Sequence, residues 1–560
     1  CEQVYQRDRY TLFIALRTLE TRGWLAISWH PQAARLHMAA PPPKQADTFT
    51  FSQQIKHQLG GLALTQITPL ADWERALDLQ FARRPDEPAL WHLYVEIMGK
   101  YSNVILATAD NQIVTAAHQV SEQQSSLRPI ATGKPYVPPP AIRGYLPSLS
   151  ESFESWRDRI ALIPGPLKKM MVTAYSGVSS AVAAQLIWAA SLPADTTTAA
   201  LSEADWRSLF QSWQTWLRRL EQASFTPGWI GQAQGGGYSV LGMGIVRPAD
   251  NVQTLLDEYY RYQFNQEEFR RLHHRLSQTL KTRLAKLRQK AATFTQRLQE
   301  ADLAQRYRLE ADLLMANLSQ WRTGMSQIEL ADFETGEPVR LLLNPEKNAV
   351  QNAQALYKQH QKLKRARTAV VPLLAAVNAE ISYLEQVEDG LLQVSAYEVE
   401  ADLRSLEETR SELIAQGYLR DLDGYQLSKP ASSEATRFYR YKIPQGFEIL
   451  IGRNNSQNEQ LTFKQASDYD LWFHAQEIPG SHVLLRLNAG DSPSDDTLQL
   501  VASFAAYYSR GRQAEQVPVV YTTPKNVYKP KGALPGMVIY KHEQVLWGQP
   551  QQAQKLIDSY

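Results

Sequence analysis

Cysteine is nearly missing from this chain: Cys1 is the single one in 560 residues. A disulfide framework and a cysteine-ligated zinc are excluded, and the usage fits a reducing compartment. Long apolar runs are missing too. The longest, "SSAVAAQLIWAASLP" at 179–193, is interrupted by Gln185 and falls short of the roughly 20 residues a bilayer span needs. No membrane span is expected. Charge imbalance is also lacking, since 59 Lys and Arg stand against 57 Asp and Glu, so any nucleic-acid surface must be local. With 44% hydrophobic and 21% charged residues the chain is not disordered, and its length suggests roughly three or four domains of about 150 residues. It opens on "CEQVYQRDRYTLFIAL" without an initiator methionine or a secretory signal, so its native start is expected to be missing.

What is present reads as an α+β multidomain protein. "YTLFIALRT", "GWLAISWHP" and "ARLHMAA" are short segments rich in β-branched and aromatic residues, bounded by turn formers, and predict antiparallel strands. "TFSQQIKHQLG" predicts a helix, and "ALDLQFA", "LWHLYVEIMGKYSNVILATAD" and "QIVTAAHQV" continue an N-terminal module over 1–147. Its end is marked by "GKPYVPPPAIRGYLP", whose prolines cannot join a ladder. Residues 148–227 are helical in pattern throughout, and glycine-dense 228–249 reads as strands returning to the first module, which makes the helical block an insertion.

A long helix is expected from about 250 to 325. Leu284, Leu287, Ala291, Phe294 and Leu298 follow the 3,4,3,4 spacing of a coiled-coil seam, and Leu280 and Leu276 extend the stripe upstream. After a small tip around "IELADFETGEPVRLLLNP", a second helical run over 346–417 completes an antiparallel middle domain over 250–420. Charge is partitioned between the arms: 269–299 holds nine Lys or Arg and no acid, whereas 380–412 holds ten acids against Arg404 and Arg410. Either the arms neutralise each other through flanking positions, or the surplus cations face an RNA backbone. A loop-rich linker at 421–437 then leads to a compact α+β domain over 437–550, in which Asp495 and Asp496 suit the start of a helix and Arg510 and Arg512 its finish.

Within that last domain, "DLWFHAQEIPGSHVLLR" predicts a hairpin around a tight Pro479-Gly480 turn, with Asp470, Trp472 and His474 on one face and His482 close by. Two imidazoles and Asp470 could hold a metal, yet no third histidine or cysteine stands at ligand spacing and no nucleophile accompanies them. No metal, cofactor or catalytic residue is therefore assigned, and the hairpin reads as scaffolding that shows its polar residues to a larger partner. Around it, Arg453, Asn454, Asn455, Lys464, Lys525, Lys529 and Lys531 are interleaved with Tyr521 and Tyr528, a composition suited to phosphates and unpaired bases and equally to a solvated loop surface.

The blocks "GFEILIGRNNSQNEQLTFKQASDYDLWFHAQEIPGSHVLLR", "PSDDTLQLVASFAAYYSRGR" and "VPVVYTTPKNVYKPKGALPGMVIY" closely resemble the C-terminal RNA-binding domain of the NFACT, or fibronectin-binding-protein-A-like, family. "YVEIMGKYSNVIL" is similar to that family's N-terminal module, "RPIATGKPYVPPP" to the segment that closes it, and "YSGVSS" lies where the family has a helix-hairpin-helix insertion. The resemblance implies a cytoplasmic factor that binds large ribosomal subunits carrying obstructed peptidyl-tRNA, touching rRNA and stalk-base proteins. It also implies recruitment of tRNA, alanyl-tRNA in bacteria, for untemplated C-terminal tailing, with bond formation left to the ribosome.

The family's tRNA-recruiting Asp-Arg pair is matched by Glu74-Arg75, with Glu96, Lys100 and Asn103 as further tRNA candidates and Ile97 and Met98 as core. Arg75 can fork onto phosphate or guanine. The C-terminal candidates that the resemblance supports are Arg453, Asn454, Asn455, Lys464, His474, Ser481, His482, Lys525, Lys529 and Lys531. Ser176 and Gly177 would offer backbone N–H groups to a phosphate, as helix-hairpin-helix loops do. The family's first helix and its acidic residue have no counterpart in the chain. Two other classes stay open at this stage: a fibronectin-binding surface adhesin, which the family's older name suggests, and a nucleic-acid-processing enzyme, for which no carboxylate cluster is evident.

Overall fold

The computed structural model describes residues 1–42, 47–125, 128–140, 144–231, 236–420 and 438–558, so the linker expected at 421–437 lies outside the described residues. The chain divides into two units, Cys1–Phe264 and Asn265–Tyr560. No helix among the described residues is long and apolar enough to cross a membrane.

The first unit opens with an antiparallel meander of β1 (Gln3–Asp8), β2 (Thr11–Arg17), β3 (Arg22–Ser28) and β4 (Arg35–Ala39). Strand β1 is missing from the sequence expectation because "QVYQRD" has one buried apolar side chain, Val4. Helix α1 (Thr50–Leu59) inserts Ile55 and Leu59 among Leu12, Ile14, Leu25 and Ile27, and this core continues through Leu79, Phe81, Leu93 and Val95 of a second sheet. That sheet is a five-stranded antiparallel meander: β5 (Ala63–Pro69), β6 (Ala76–Ala82), β7 (Trp91–Glu96), β8 (Asn103–Thr108) and β9 (Ile113–Ala116).

Four helices follow: α2 (Phe153–Ala161), α3 (Leu167–Ala174), α4 (Ser180–Ala189) and α5 (Glu203–Glu221). Helix α5 starts at a reciprocal capping box between Ser202 and Asp205 and buries Trp206, Leu209, Trp213, Trp216 and Leu217 along one stripe against Trp156 and Tyr175. The glycine-dense segment departs from expectation. Its short strands β10 (Gly228–Ile230), β11 (Tyr238–Ser239) and β12 (Ile245–Pro248) pair with one another in the order β11-β10-β12 and join neither meander. Leu241 and Met243, between them, are buried in the helical core instead. Helix α6 (Val252–Asp302) then runs into the second unit.

In that unit α7 (Ala304–Ala316), a tip hairpin of β13 (Gln327–Ala331) and β14 (Pro338–Leu342), α8 (Ala349–Gln393) and α9 (Glu400–Ala415) build the helical hairpin. His273 meets the Leu391 carbonyl at 3.1 Å, Arg288 meets Glu385 at 2.7 Å and Arg367 meets Asp302 at 2.7 Å, a falling register that makes the arms antiparallel. The uninterrupted helices expected over 250–325 and 346–417 each break once. After Leu303 the chain turns so that Leu313 and Leu314 reach the tip core of Ile328, Leu330 and Leu341. Before α9, Asp402 Oδ2 accepts the Glu398 and Val399 N–H groups, both at 2.9 Å, and so starts a new helix.

The terminal domain is a six-stranded antiparallel sheet in the order β15-β16-β18-β17-β19-β22. Its elements are β15 (Tyr439–Lys442), β16 (Glu448–Ile451), α10 (Asn455–Gln460), β17 (Leu471–Ala475), β18 (Val483–Arg486) and α11 (Asp495–Tyr507). There follow β19 (Val517–Thr522), a small ribbon of β20 (Val527–Tyr528) and β21 (Ile539–Tyr540), β22 (Gln544–Gly548) and α12 (Pro550–Ile557). Ile449, Phe473, Leu485 and Val519 pack on α11, and the alternate residues Leu450, Trp472, Leu484 and Val520 form a second core on the other face. Asp495 and Asp496 occupy the first turn of α11 as expected. Arg510 and Arg512 do not finish it: Arg510 extends to Glu388 at 3.4 Å and Arg512 lies over the Tyr507 ring.

Candidate nucleic-acid interface

Glu74 and Arg75 occupy the turn between β5 and β6. The residue before them, Trp73, has φ 62°, a backbone conformation that a bulky side chain adopts at a cost of about 1–3 kcal/mol. What holds it there is the helical block α2–α5. A Cβ on Gly177 would stand 2.6 Å from the Trp73 ring, and the ring also packs on Trp216 at 5.6 Å between centroids. Gly177 itself has φ +76°, so glycine is demanded twice at that position. The expected role of Ser176 and Gly177 as a phosphate cradle is therefore corrected: Ser176 is buried, and Gly177 is covered by tryptophan. The structure brings the α3–α4 loop and the Glu74-Arg75 turn together, as anchor and cargo.

Arg75 is exposed, and its carbonyl accepts the Ile97 N–H at 2.8 Å, which ties the turn to the end of β7. Register places the β7–β8 turn at that same end of the sheet, since Ala76 pairs with Glu96 and Glu96 with Asn103. There Lys100 is exposed beside Tyr101, whose ring is 72% accessible and 4.9 Å from the lysine Nζ. Glu96 and Asn103 differ from the expectation of a tRNA-facing pair. Glu96 is buried, clamped by Arg128 at 3.0 Å and by the Tyr136 hydroxyl at 2.8 Å. Asn103 is buried and bridges to the His118 backbone, donating to its carbonyl at 2.7 Å and accepting its N–H at 2.9 Å. Both build the platform under Arg75 and Lys100. Ile97 and Met98 are half-buried.

The histidine hairpin also differs from its expected form. Trp472 and Phe473 are both fully buried, because each face of the sheet carries its own core, and Asp470 is buried under Arg486 at 3.0 Å. Asp470, Ser481 and His482 are buried rather than shown to a partner. His474 Nε2 donates to the Gly480 carbonyl at 3.3 Å, and His482 Nδ1 lies 2.7 Å from the Thr462 hydroxyl. Burial lowers His474 to about 4 and His482 well below the usual imidazole range, so both rings are neutral near pH 7. Among the described residues no group of three His, Cys, Asp or Glu is placed to hold a metal ion. Ser481, like His482, is buried, and its N–H donates to the Tyr508 carbonyl at 2.8 Å.

Arg453, Asn454 and Asn455 require the same correction. Instead of a free surface they meet the acidic helix α9. Arg453 is 8% exposed, pairs with Asp402 at 2.5 Å and stacks over Tyr439 at 3.8 Å. Asn454 and Gln457 both donate to Glu408, at 2.9 and 2.8 Å, and Asn455 donates to Glu412 at 3.3 Å. These amides saturate carboxylates rather than phosphates.

Glu412 gives this seam a pH dependence. It accepts the Tyr383 hydroxyl at 2.6 Å, and burial raises its carboxyl to about 7, with the Glu459 charge adding to the rise against the hydrogen bonds from Tyr383, Asn455 and Ser456. Asp389, in the same seam, is raised to about 6 by burial. A raised carboxyl contributes stability that is complete below its unfolded value of 4.5 and is lost as pH climbs through about 7. Glu412→Gln keeps the acceptor for Tyr383 and abolishes the titration. We expect its melting temperature to match the parent near pH 4.5 and to exceed it at pH 8, a gain of up to about 3 kcal/mol. Parallel melting curves of the two proteins across pH 4.5–8 would contradict this.

The remaining C-terminal candidates are exposed. Lys464 lies beside the accessible Phe463, and Lys525 and Lys531 are open. Lys529 is partly neutralised by Glu459 at 2.7 Å. Sequence reasoning missed Trp73, Tyr101, Phe463 and Lys541, the last lying 5.8 Å from the half-exposed Tyr528 ring. An exposed aromatic beside a lysine is a signal that could have found the last three; Trp73 offers none, since its role depends on Gly177 a hundred residues away.

Lone cations beside aromatic rings, spread over separate modules, have the layout of a protein that binds a polyanion. The chain belongs to the NFACT family: residues 1–431 match NFACT N-terminal and middle domains, and residues 437–541 match the NFACT protein RNA binding domain. It is 28% identical over 561 residues to the Rqc2 homolog RqcH of Bacillus subtilis (strain 168), covering 98% of this chain and 94% of that one. It is likewise 28% identical over 550 residues to the Rqc2 homolog RqcH of Streptococcus pneumoniae serotype 2 (strain D39 / NCTC 7466), covering 97% and 93%. A solved structure, the C-terminal part of the fibronectin/fibrinogen-binding protein from Streptococcus suis, is 30% identical with a TM-score of 0.39, covering 51% of this chain and 98% of that one.

Proposed function

We propose that this protein is a cytoplasmic ribosome quality-control factor that binds RNA and is not itself the catalyst. In this reading it engages large ribosomal subunits with obstructed peptidyl-tRNA, touching rRNA and stalk-base proteins. It recruits tRNA, alanyl-tRNA in the first instance, through Arg75 with Lys100 and Tyr101 alongside, and the ribosome forms the bonds of an untemplated C-terminal tail. Similarity along nearly the whole length to proteins named Rqc2 homolog RqcH supports the role. The observation that carries the tRNA assignment is the exposure of Arg75 on a turn whose preceding residue is locked in place, because a pre-set guanidinium forks onto phosphate or base with little ordering cost.

Sequencing the tRNAs that co-purify with the full chain tests it. Enrichment of one isoacceptor class is expected, falling to background on Arg75→Ala while sedimentation with large subunits persists. An unselective tRNA profile that Arg75→Ala leaves unchanged would overturn the assignment.

A further inference from the structure

The charge partition of the helical hairpin leaves a consequence on its middle. The basic arm meets the acidic arm at Arg288–Glu385, but several of the acids are turned elsewhere. Asp402 takes Arg453, Glu408 takes Asn454 and Gln457, and Glu388 takes Arg510, all from the terminal domain. Cations that the sequence pairs with those acids are therefore left over. On α6, Arg283, Lys290 and Arg297 recur every seventh residue, one place before Leu284, Ala291 and Leu298 of the apolar stripe. At 1.5 Å per residue they stand about 10 Å apart over about 21 Å of helix. All three are exposed, and none forms an ion pair with a carboxylate among the described residues. Nearer the tip, beyond the Arg367–Asp302 pair, residues 358–366 of α8 add four Lys or Arg and no acid, with Lys362, Lys364 and Arg365 exposed.

We propose that the middle of this hairpin is a docking rail for the backbone of double-stranded RNA, separate from the C-terminal domain. The chemistry favours duplex over single strand. Single strands are held by aromatic platforms, and the one ring on this stretch of α6, Phe294, is half-buried in the seam with Lys290 beside it. Regularly spaced cations along one face of α6 suit phosphates held at fixed intervals, which is how duplex RNA is recognised. The proposal rests on the RNA-binding reading above and not on any choice of tRNA.

The test uses the full chain and a 16-base-pair RNA duplex, with binding followed by fluorescence anisotropy between 50 and 200 mM KCl. Replacing Arg283, Lys290 and Arg297 together by Gln is expected to weaken binding about tenfold or more at 100 mM salt and to flatten the log–log salt slope by about two to three. The charge-conserving set Arg283→Lys, Lys290→Arg and Arg297→Lys should bind as the parent does. Unchanged affinity and slope in the Gln set would overturn the rail, as would an equal loss in the charge-conserving set. Parent-like duplex binding combined with lost sedimentation on ribosomal subunits would overturn it too, since the partner would then be an acidic protein. Because the duplex assay contains neither ribosomes nor tRNA, failure of the tRNA assignment at Arg75 registers separately.

Discussion

Gly177→Ala is expected to abolish tRNA co-purification although Gly177 makes no contact with tRNA in the reading given above. The added methyl group would stand 2.6 Å from the Trp73 ring, and the +76° φ that glycine tolerates costs an alanine about 1–2 kcal/mol. The ring cannot give way without disturbing its packing on Trp216 and the helical core, so the turn that carries Arg75 must shift. Together these effects should destabilise the helical block by about 2–4 kcal/mol. Destabilisation by itself is not the claim. Leu186→Ala empties a fully buried site in the same core and should cost a comparable or larger amount, about 2–5 kcal/mol, while leaving Trp73 against Gly177. Hydrogen exchange should then report loosening in both variants, whereas tRNA recovery should collapse in Gly177→Ala and survive in Leu186→Ala. Trp73→Phe keeps an aromatic ring in the slot and should retain most binding. Equal loss of tRNA from Gly177→Ala and Leu186→Ala would reduce Trp73 to an ordinary core residue and remove its positioning role.

The elements legible in the sequence are those whose own side chains determine them. The Trp206–Leu217 stripe declares α5, and short runs of aromatic and aliphatic residues between turn formers declare β2 and β3, because local composition and burial agree there. What could not be read is where a polar residue's partner comes from. "GRNNSQNEQ" has the composition of an RNA-facing loop, and its amides and arginine are indeed satisfied by anions, but those anions are Asp402, Glu408 and Glu412 on a helix some fifty residues upstream. Composition states what a side chain can bind and is silent on whether the chain itself supplies it. Likewise "LWFHA" reads as one-sided by alternation, because sequence does not reveal that both faces of the sheet are covered, which turns Trp472 and His474 inward. Arg75 and Lys100 were legible as candidates by resemblance, whereas the strained Trp73 that holds the turn depends on contacts remote in sequence.

Arg453 supplies the second large effect, and its sign depends on which partner is left behind. Arg453→Met removes the cation and leaves Asp402 without its partner in a site where it is 5% exposed, so the terminal domain should lose about 3–5 kcal/mol of its hold on α9. Asp402 cannot simply be deleted, since its Oδ2 caps the helix through the Glu398 and Val399 N–H groups. Asparagine keeps that acceptor and discards the charge. The double variant Asp402→Asn with Arg453→Met is therefore expected to be more stable than Arg453→Met alone, recovering most of the loss, because a buried pair costs far more to break than to replace. Urea unfolding of the full chain, with protease sensitivity of the terminal domain as a second probe, measures the ordering. Arg453 is turned to a carboxylate, so affinity for single-stranded RNA should be the same in the double variant and the parent, whereas Lys525→Gln with Lys531→Gln should lower it. If instead Arg453→Met leaves the seam intact and weakens RNA binding several-fold, Asp402 is a placeholder for phosphate, and the terminal domain must leave α9 when RNA arrives.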